Sequence, residues 1–78
     1  MWIERKRIKG REYLYLRWRE NGRQHSRYLG PAESTTPHRI IDRLQSELDD
    51  MRARQSPHYY DLYYLIQEIR EHGPGRAP

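Results

Sequence analysis

The chain has 78 residues, 15 Lys or Arg against 11 Asp or Glu, no cysteine and a mean hydropathy of −1.25. This length predicts one small domain with a thin core, and the absence of cysteine excludes a disulfide framework and a thiolate metal site. No apolar run approaches the roughly 18 residues of a membrane span and the N-terminus lacks a signal-peptide pattern, so we expect a cytoplasmic protein without a membrane partner.

Three strand-like segments come first, at residues 2–8, 11–20 and 23–29. They are separated by the dipeptides Lys9-Gly10 and Asn21-Gly22. Asn-Gly favours a tight hairpin because a type I′ turn needs a positive φ at both of its central positions. Residues 1–30 are therefore predicted to form a three-stranded antiparallel meander.

Two-residue turns would also fix the register, placing Glu20 opposite Arg23 and Leu14 opposite Leu29. Side chains alternate between the two faces of a strand, so each face can be assigned. The face predicted to form the core collects Ile3, Leu14, Leu16, Trp18 and Leu29, with Arg5, Arg7 and Arg27 at its rim. The opposite face collects Trp2, Lys6, Tyr13, Tyr15, Arg17, Arg19, Gln24, Ser26 and Tyr28.

Two helices are predicted after the sheet, over residues 36–54 and 57–72. Each begins with a hydroxyl residue followed by proline, Thr36-Pro37 and Ser56-Pro57, which is typical of an N-cap and the first helical position. The first apolar stripe comprises Ile40, Ile41, Leu44, Leu48 and Met51, with Asp42, Glu47, Asp49 and Asp50 largely off it. The second comprises Tyr59, Leu62, Tyr63, Ile66 and Ile69, with Leu65 beside it.

These elements predict an α+β fold in which the meander packs on a two-helix antiparallel hairpin. A single domain is expected over residues 1–72, with a frayed tail at residues 73–78. Dimerisation remains open, because a second copy would relieve the shortage of apolar side chains.

The charge is unevenly distributed along the chain. Residues 1–30 carry nine Lys or Arg against three Glu, whereas residues 31–78 carry six Arg against eight Asp or Glu. The basic part also holds both tryptophans and three of the seven tyrosines. Basic surfaces attract phosphates and aromatic rings stack on bases, so the pattern predicts a nucleic-acid-binding protein, with DNA favoured over RNA.

The predicted contacts lie mainly on the face opposite the core. Ribbons of β-strands enter the major groove, where Arg reads guanine and Gln reads adenine, and an ordinary solvated sheet face is the alternative. The groove contacts are predicted to be Lys6, Arg17, Arg19 and Gln24. Phosphate contacts are assigned to Arg5, Arg7, Arg23 and Arg27, and contacts to sugars, exposed bases or phosphates to Tyr13, Tyr15 and Tyr28.

No enzymatic site, metal or cofactor is predicted. The four histidines are scattered without an i, i+4 pair, and no nucleophile motif or phosphate-binding glycine loop is present. Tyr60 and Tyr64 project off the second helical stripe and are predicted to face a partner. The alternative function is therefore a protein-interaction module, an adaptor or inhibitor that docks through the helical hairpin or through the basic sheet.

One resemblance rests on residues 13–19, on Asn21-Gly22-Arg23 and on the closing Arg27-Tyr28-Leu29-Gly30. These residues resemble the three-stranded, arm-binding (AP2-like) DNA-binding domains of tyrosine-type phage integrases. They are also similar to small uncharacterised prokaryotic proteins that have a Tyr-rich strand and a closing Tyr-Leu-Gly. The integrase resemblance implies a sheet inserted into the major groove, with Arg17, Arg19, Arg23, Gln24 and Arg27 on the matching strands.

The same resemblance implies a small regulator or accessory factor of a phage, plasmid or mobile element. Two helices are predicted after the sheet here, where the integrase domains have one.

Overall fold

A computed structural model describes residues 1–72 of the chain, and the predicted frayed tail at residues 73–78 lies outside the described residues. It confirms the α+β fold, with one three-stranded antiparallel sheet followed by two helices. The elements are β1 (Trp2–Ile8), β2 (Arg11–Glu20), β3 (Arg23–Pro31), α1 (Pro37–Ala53) and α2 (Tyr59–His72). Within residues 1–72, neither helix has the length and apolarity that a membrane crossing needs.

Both tight turns have the predicted geometry. Lys9 and Gly10 have φ values of 51° and 80°, and Asn21 and Gly22 have 55° and 75°, so both central positions of each turn are left-handed. All predicted pairs of the β1–β2 hairpin are confirmed as a result, and those of the β2–β3 hairpin are confirmed from Glu20 with Arg23 as far as Tyr15.

The register of β2 and β3 shifts between Leu14 and Tyr15. Tyr15 pairs with Tyr28 and Leu14 pairs with Gly30, so the predicted pairing of Leu14 with Leu29 is wrong. Leu29 is the extra residue of a β-bulge, which leaves its side chain fully buried on the helix side. Gly30 follows the bulge in a backbone conformation that favours glycine, with a φ of 125°. A Cβ at this position would also overlap the Thr35 hydroxyl.

Helix α1 begins as predicted. The Thr36 hydroxyl accepts a hydrogen bond from the Arg39 backbone N–H at 3.3 Å, and Pro37 is the first helical residue. Helix α2 begins two residues later than predicted, because the Ser56 hydroxyl accepts the backbone N–H of His58 in a turn that precedes it.

The core lies between one face of the sheet and the two helices. Leu14, Leu16, Trp18 and Leu29 contribute from the sheet, and Ile3 packs against them as predicted. Two details of the helical stripes are wrong: Tyr63 is 39% exposed, whereas Leu65, predicted beside the stripe, is 8% exposed. Tyr63 turns outward because Leu62, Leu65, Ile66 and Ile69 already fill the buried side of α2.

Candidate nucleic-acid interface

The sheet face opposite the helices, here called the outer face, is arranged by the observed register into rows across the strands. Nearest the β2–β3 turn, Arg19 pairs with Gln24. Trp2, Arg17 and Ser26 form the next row, then Glu4, Tyr15 and Tyr28, then Lys6 and Tyr13. The outer face therefore has a polar, basic end near the β2–β3 turn and an aromatic end near the β1–β2 turn. All nine residues predicted for this face lie on it.

Three tyrosines at the aromatic end form what we call the tyrosine cluster, Tyr13, Tyr15 and Tyr28. The Tyr28 ring centroid lies 5.4 Å from that of Tyr15 and 6.3 Å from that of Tyr13, with interplanar angles of 54° and 44°. The rings are tilted rather than stacked on one another. Together with Ile8 they line a shallow, open depression on the sheet.

Arg17 lies at the centre of the outer face, where its charge is already compensated. Its guanidinium donates a hydrogen bond to the Glu4 carboxylate and lies 5.3 Å from the centroid of the Tyr15 ring. This arrangement holds the Tyr15 ring in place from one side. Of the predicted groove contacts, Arg17 is thus the one with a carboxylate partner. A nucleic-acid phosphate could bind Arg17 only by displacing Glu4.

Several cations around the tyrosine cluster have no described carboxylate within ion-pair distance. Lys6 of β1 lies beside Tyr13, and Arg11 lies two residues before Tyr13 on β2, on the same face. Arg43 of α1 places its guanidinium 6.0 Å from the centroid of Tyr28. Sequence reasoning missed Arg43, since nothing in the local pattern shows that a helix reaches the edge strand at that point. At the other end of the face, Arg19 donates a weak hydrogen bond to the Gly22 carbonyl at 3.5 Å.

The four arginines predicted to bind phosphates do not join the outer face. Each of them pairs with an even-numbered residue of β2, which places all four on the helix side of the sheet: Arg5, Arg7, Arg23 and Arg27. This side was predicted for Arg5, Arg7 and Arg27. Arg5 donates to Glu12 at 3.4 Å and Arg27 to Glu47 at 3.3 Å. A ligand on the outer face would therefore meet Lys6 and Arg19 before these four.

An ion network that the sequence did not reveal lies behind the outer face. Arg54, just after α1, donates to Glu20 at 3.2 Å and to Glu47 at 3.4 Å, and Glu47 also accepts from Arg27. Glu20 further accepts from the Trp18 indole N–H at 3.1 Å. The prediction that Glu47 lies off the buried stripe is wrong, because the residue is only 7% exposed and its carboxylate lies between Arg27 and Arg54.

The hydrogen bonds from Arg54 lower the pKa of Glu20 to about 2, against an opposing effect of burial; the Trp18 and Ser56 hydrogen bonds act in the same direction as Arg54. The same contacts raise the pKa of Arg54, with Glu20 as the main cause. The network joins β2, β3 and the end of α1, and so fixes the hairpin that carries Arg19 and Gln24.

One group of ligand-type atoms occurs near the end of α2. Within residues 1–72, Glu68, Glu71 and His72 bring carboxylate and imidazole atoms within 4.8 Å of one another, which is a spacing that a metal ion could use. The His72 ring lies 3.6 Å from Glu71 and 3.9 Å from Glu68, both distances that fit ion pairs of a protonated ring. The group is largely exposed and lies far in sequence from the outer face.

The tyrosines predicted to face a partner are strongly exposed. Tyr60 is 67% and Tyr64 is 66% exposed on α2. Each ring contacts its neighbour edge-on, Tyr60 against Tyr59 and Tyr64 against Tyr63. A second, separate aromatic surface therefore lies on the helical side of the molecule.

Comparison with known proteins gives one finding. Residues 3–37 match the model of a family described as a domain of unknown function, DUF6788. The match covers the three strands except Trp2, the first residue of β1, and ends at the first residue of α1. No curated protein and no solved structure matches the chain.

Proposed function

We propose that the chain binds DNA through the outer face of its sheet, as a small regulator or accessory factor. The observation that carries this proposal is the position of the tyrosine cluster beside cations that have no described carboxylate partner. Phosphates supply most of the affinity in such complexes, and aromatic or amide groups add contacts to bases. Lys6 and Arg19 are the proposed phosphate or groove contacts, and Gln24 lies next to Arg19 for a contact to a base edge.

Charge supports the same orientation. Residues 37–72 carry five Arg against seven Asp or Glu. A polyanion would therefore be attracted to the sheet more strongly than to the helical side of the molecule. The ion pairs of Arg5, Arg17 and Arg27 reduce the number of available cations on the sheet. The proposal thus rests on a few cations rather than on the whole basic half.

The test is a binding titration with labelled oligonucleotides over a salt series. The double variant Lys6→Ala with Arg19→Ala is compared with Arg52→Ala with Arg70→Ala, which removes the same charge from exposed positions of the two helices. We expect the first variant to weaken binding about tenfold or more. The slope of the logarithm of the binding constant against the logarithm of salt concentration should also become shallower by about 2, because each lost phosphate contact lowers it by about 1. The second variant should bind as the unmodified chain does.

Salt-independent binding, or an equal loss in both double variants, would contradict the proposal. Parallel titrations with RNA of the same sequence separate DNA from RNA as the preferred ligand. The thermal melts of both variants should match that of the unmodified chain, since all four side chains are exposed.

A second candidate function follows from the exposed pair Tyr60 and Tyr64. The acids Asp61, Glu68 and Glu71 lie on the same helix, against one arginine, so the surface suits a basic segment of a partner protein. A partner retained from nuclease-treated extract and lost both with Tyr60→Ala and at high salt would favour this function. Sedimentation of the purified chain at several concentrations distinguishes that partner from a second copy of the chain.

A further inference from the structure

We propose that the tyrosine cluster is a binding site for an unpaired nucleobase, so that the outer face prefers single-stranded DNA to duplex DNA. This inference rests on the proposed function and narrows its ligand. The observation behind it is the open depression formed by Ile8, Tyr13, Tyr15 and Tyr28, whose lining contains no charged side chain.

The first argument is that the tyrosine ring faces are not stacked against one another, although the Arg17 guanidinium lies over the Tyr15 ring and the Arg43 guanidinium over the Tyr28 ring. Tyr28 is 44% exposed and its ring is tilted by 44° to 54° from those of its two neighbours. Rings that stack on one another would have used these faces already. Tilted rings around a depression instead leave room for a planar group between or above them, as offset stacking requires.

The second argument is spacing. Successive outer-face positions on one strand, such as Tyr13 and Tyr15, are roughly 6.8 Å apart, because each strand residue rises about 3.4 Å. Stacked bases in a duplex repeat every 3.4 Å or so along one strand. Rings at the strand spacing therefore match bases that have been drawn apart, and do not match bases that remain stacked.

The third argument is energetic. Stacking of one base on an aromatic side chain contributes about 1–3 kcal/mol, which is measurable as a loss on substitution by alanine. Extracting a base from a duplex breaks its pairing and stacking there, and this cost offsets the gain. A single strand requires no such extraction, so the same site binds it more tightly.

The cations nearest the cluster are placed to hold the backbone of such a strand. Lys6 and Arg11 lie on the sheet beside Tyr13, and Arg43 of α1 lies 6.0 Å from the centroid of Tyr28 on the opposite edge. A strand whose base rests on Tyr28 thus has a positive charge within reach on either side. Phosphate contacts of this kind are independent of sequence, and stacking tolerates any base.

The experiment compares three labelled ligands: a single-stranded oligonucleotide, its duplex, and a single strand of the same length made of abasic sites. We expect the single strand to bind about tenfold or more tighter than the other two. Tyr28→Ala should weaken single-strand binding by about 5- to 150-fold, which corresponds to the stacking range, and weaken duplex binding by a smaller factor. Tyr28→Phe keeps the ring and should bind as the unmodified chain does.

Tyr60→Ala is the matched control, since it removes an exposed tyrosine from the other side of the molecule. Equal affinity for single strand and duplex, or equal loss on both with Tyr28→Ala, overturns the unpaired-base site. If duplex binding in that case still depends on salt and on Lys6 and Arg19, the proposed function stands. Failure to bind any of the three ligands at low salt overturns both.

Discussion

Glu20 is the residue at which the sheet and the helices are joined by charge. Its carboxylate accepts hydrogen bonds from Arg54 and Trp18, and these bring its pKa from 4.5 to about 2. A carboxyl whose pKa is lowered in the folded state stabilises the fold above its ordinary pKa, and this stabilisation is lost as the pH falls from about 4.5 towards 2. The Arg54 side chain is 40% exposed, so solvent screening reduces the effect.

We therefore expect Glu20→Gln to lower the free energy of unfolding at pH 7 by about 1–3 kcal/mol, as for a lost hydrogen bond between charged groups. The same variant should lose less stability than the unmodified chain between pH 4.5 and pH 2, because it has no carboxyl to protonate there. Urea unfolding followed by tryptophan fluorescence at pH 7, 4.5, 3 and 2 measures both effects.

Glu12→Gln is the control for this prediction. Glu12 pairs with Arg5 at 3.4 Å, but the two side chains are 41% and 56% exposed. An exposed pair contributes little, so the change should stay within about 0.5 kcal/mol at pH 7. A Glu12 variant as destabilised as the Glu20 variant would mean that net charge, and not the network, accounts for the loss.

At the scale of elements, the end of α1 is a hydrogen-bonded cap made without glycine. Ser56 N–H donates to the Met51 carbonyl at 2.8 Å and Gln55 N–H to the Arg52 carbonyl at 3.2 Å, which is the pattern of a Schellman motif. Gln55 occupies its left-handed position, with a φ of 53°. Because glycine adopts this conformation without steric cost, we expect Gln55→Gly to raise the free energy of unfolding by up to about 1 kcal/mol.

Thermal unfolding by circular dichroism tests this prediction. Ala53→Gly is the comparison, since Ala53 is the last residue of α1 and has a right-handed conformation there. Glycine in a helix is less favourable than alanine by about 1 kcal/mol, so this variant should melt at a lower temperature. Two variants that shift the melting temperature in the same direction would rule out the left-handed cap as the cause.

The bulge in β3 gives the opposite expectation for a glycine. A Cβ at Gly30 would overlap the Thr35 side chain, and the φ of 125° disfavours any other residue. Gly30→Ala should therefore destabilise the protein by about 1–3 kcal/mol. Gly22→Ala separates the two causes, because its φ is 75° but a Cβ at that position would have no neighbouring atom within 4 Å. Equal losses at the two positions would show that the contact with Thr35 has no effect.

How far the sequence predicted the fold depends on whether the determining interactions are local. The two hairpin turns and the Thr36 cap are set by residues adjacent in sequence, and all three were predicted correctly. The burial of Glu47 depends on Arg27 and Arg54, which are distant in sequence, so no local pattern could reveal it.

The same reasoning applies to the candidate site. The outer face followed from strand alternation, and the register confirmed its membership. The partners of its cations did not follow, because Glu4 and Arg17 are 13 positions apart and Arg43 approaches from a helix. Binding roles for these residues stay predictions.

At the scale of the whole molecule, most of the apolar core lies outside the sheet. Of the twelve buried apolar side chains among residues 1–72, four come from the strands and eight from the two helices. The family match over residues 3–37 covers the four and ends before the eight. The segment that matches the family is thus the one that carries the outer face, while most of the apolar side chains that support it lie in α1 and α2.

We accordingly expect a peptide of residues 1–37 to be unfolded in water. Its helix-side face would expose Leu14, Leu16, Trp18 and Leu29, and small sheets without a second layer are marginal at best. The measurement is the proton NMR spectrum, in which we expect narrow amide dispersion, and single-strand binding, which should fall with the loss of the tyrosine cluster. The full chain under the same conditions is the control. A well-dispersed spectrum for the peptide would show that the two turns and the outer-face contacts hold the sheet without the helices.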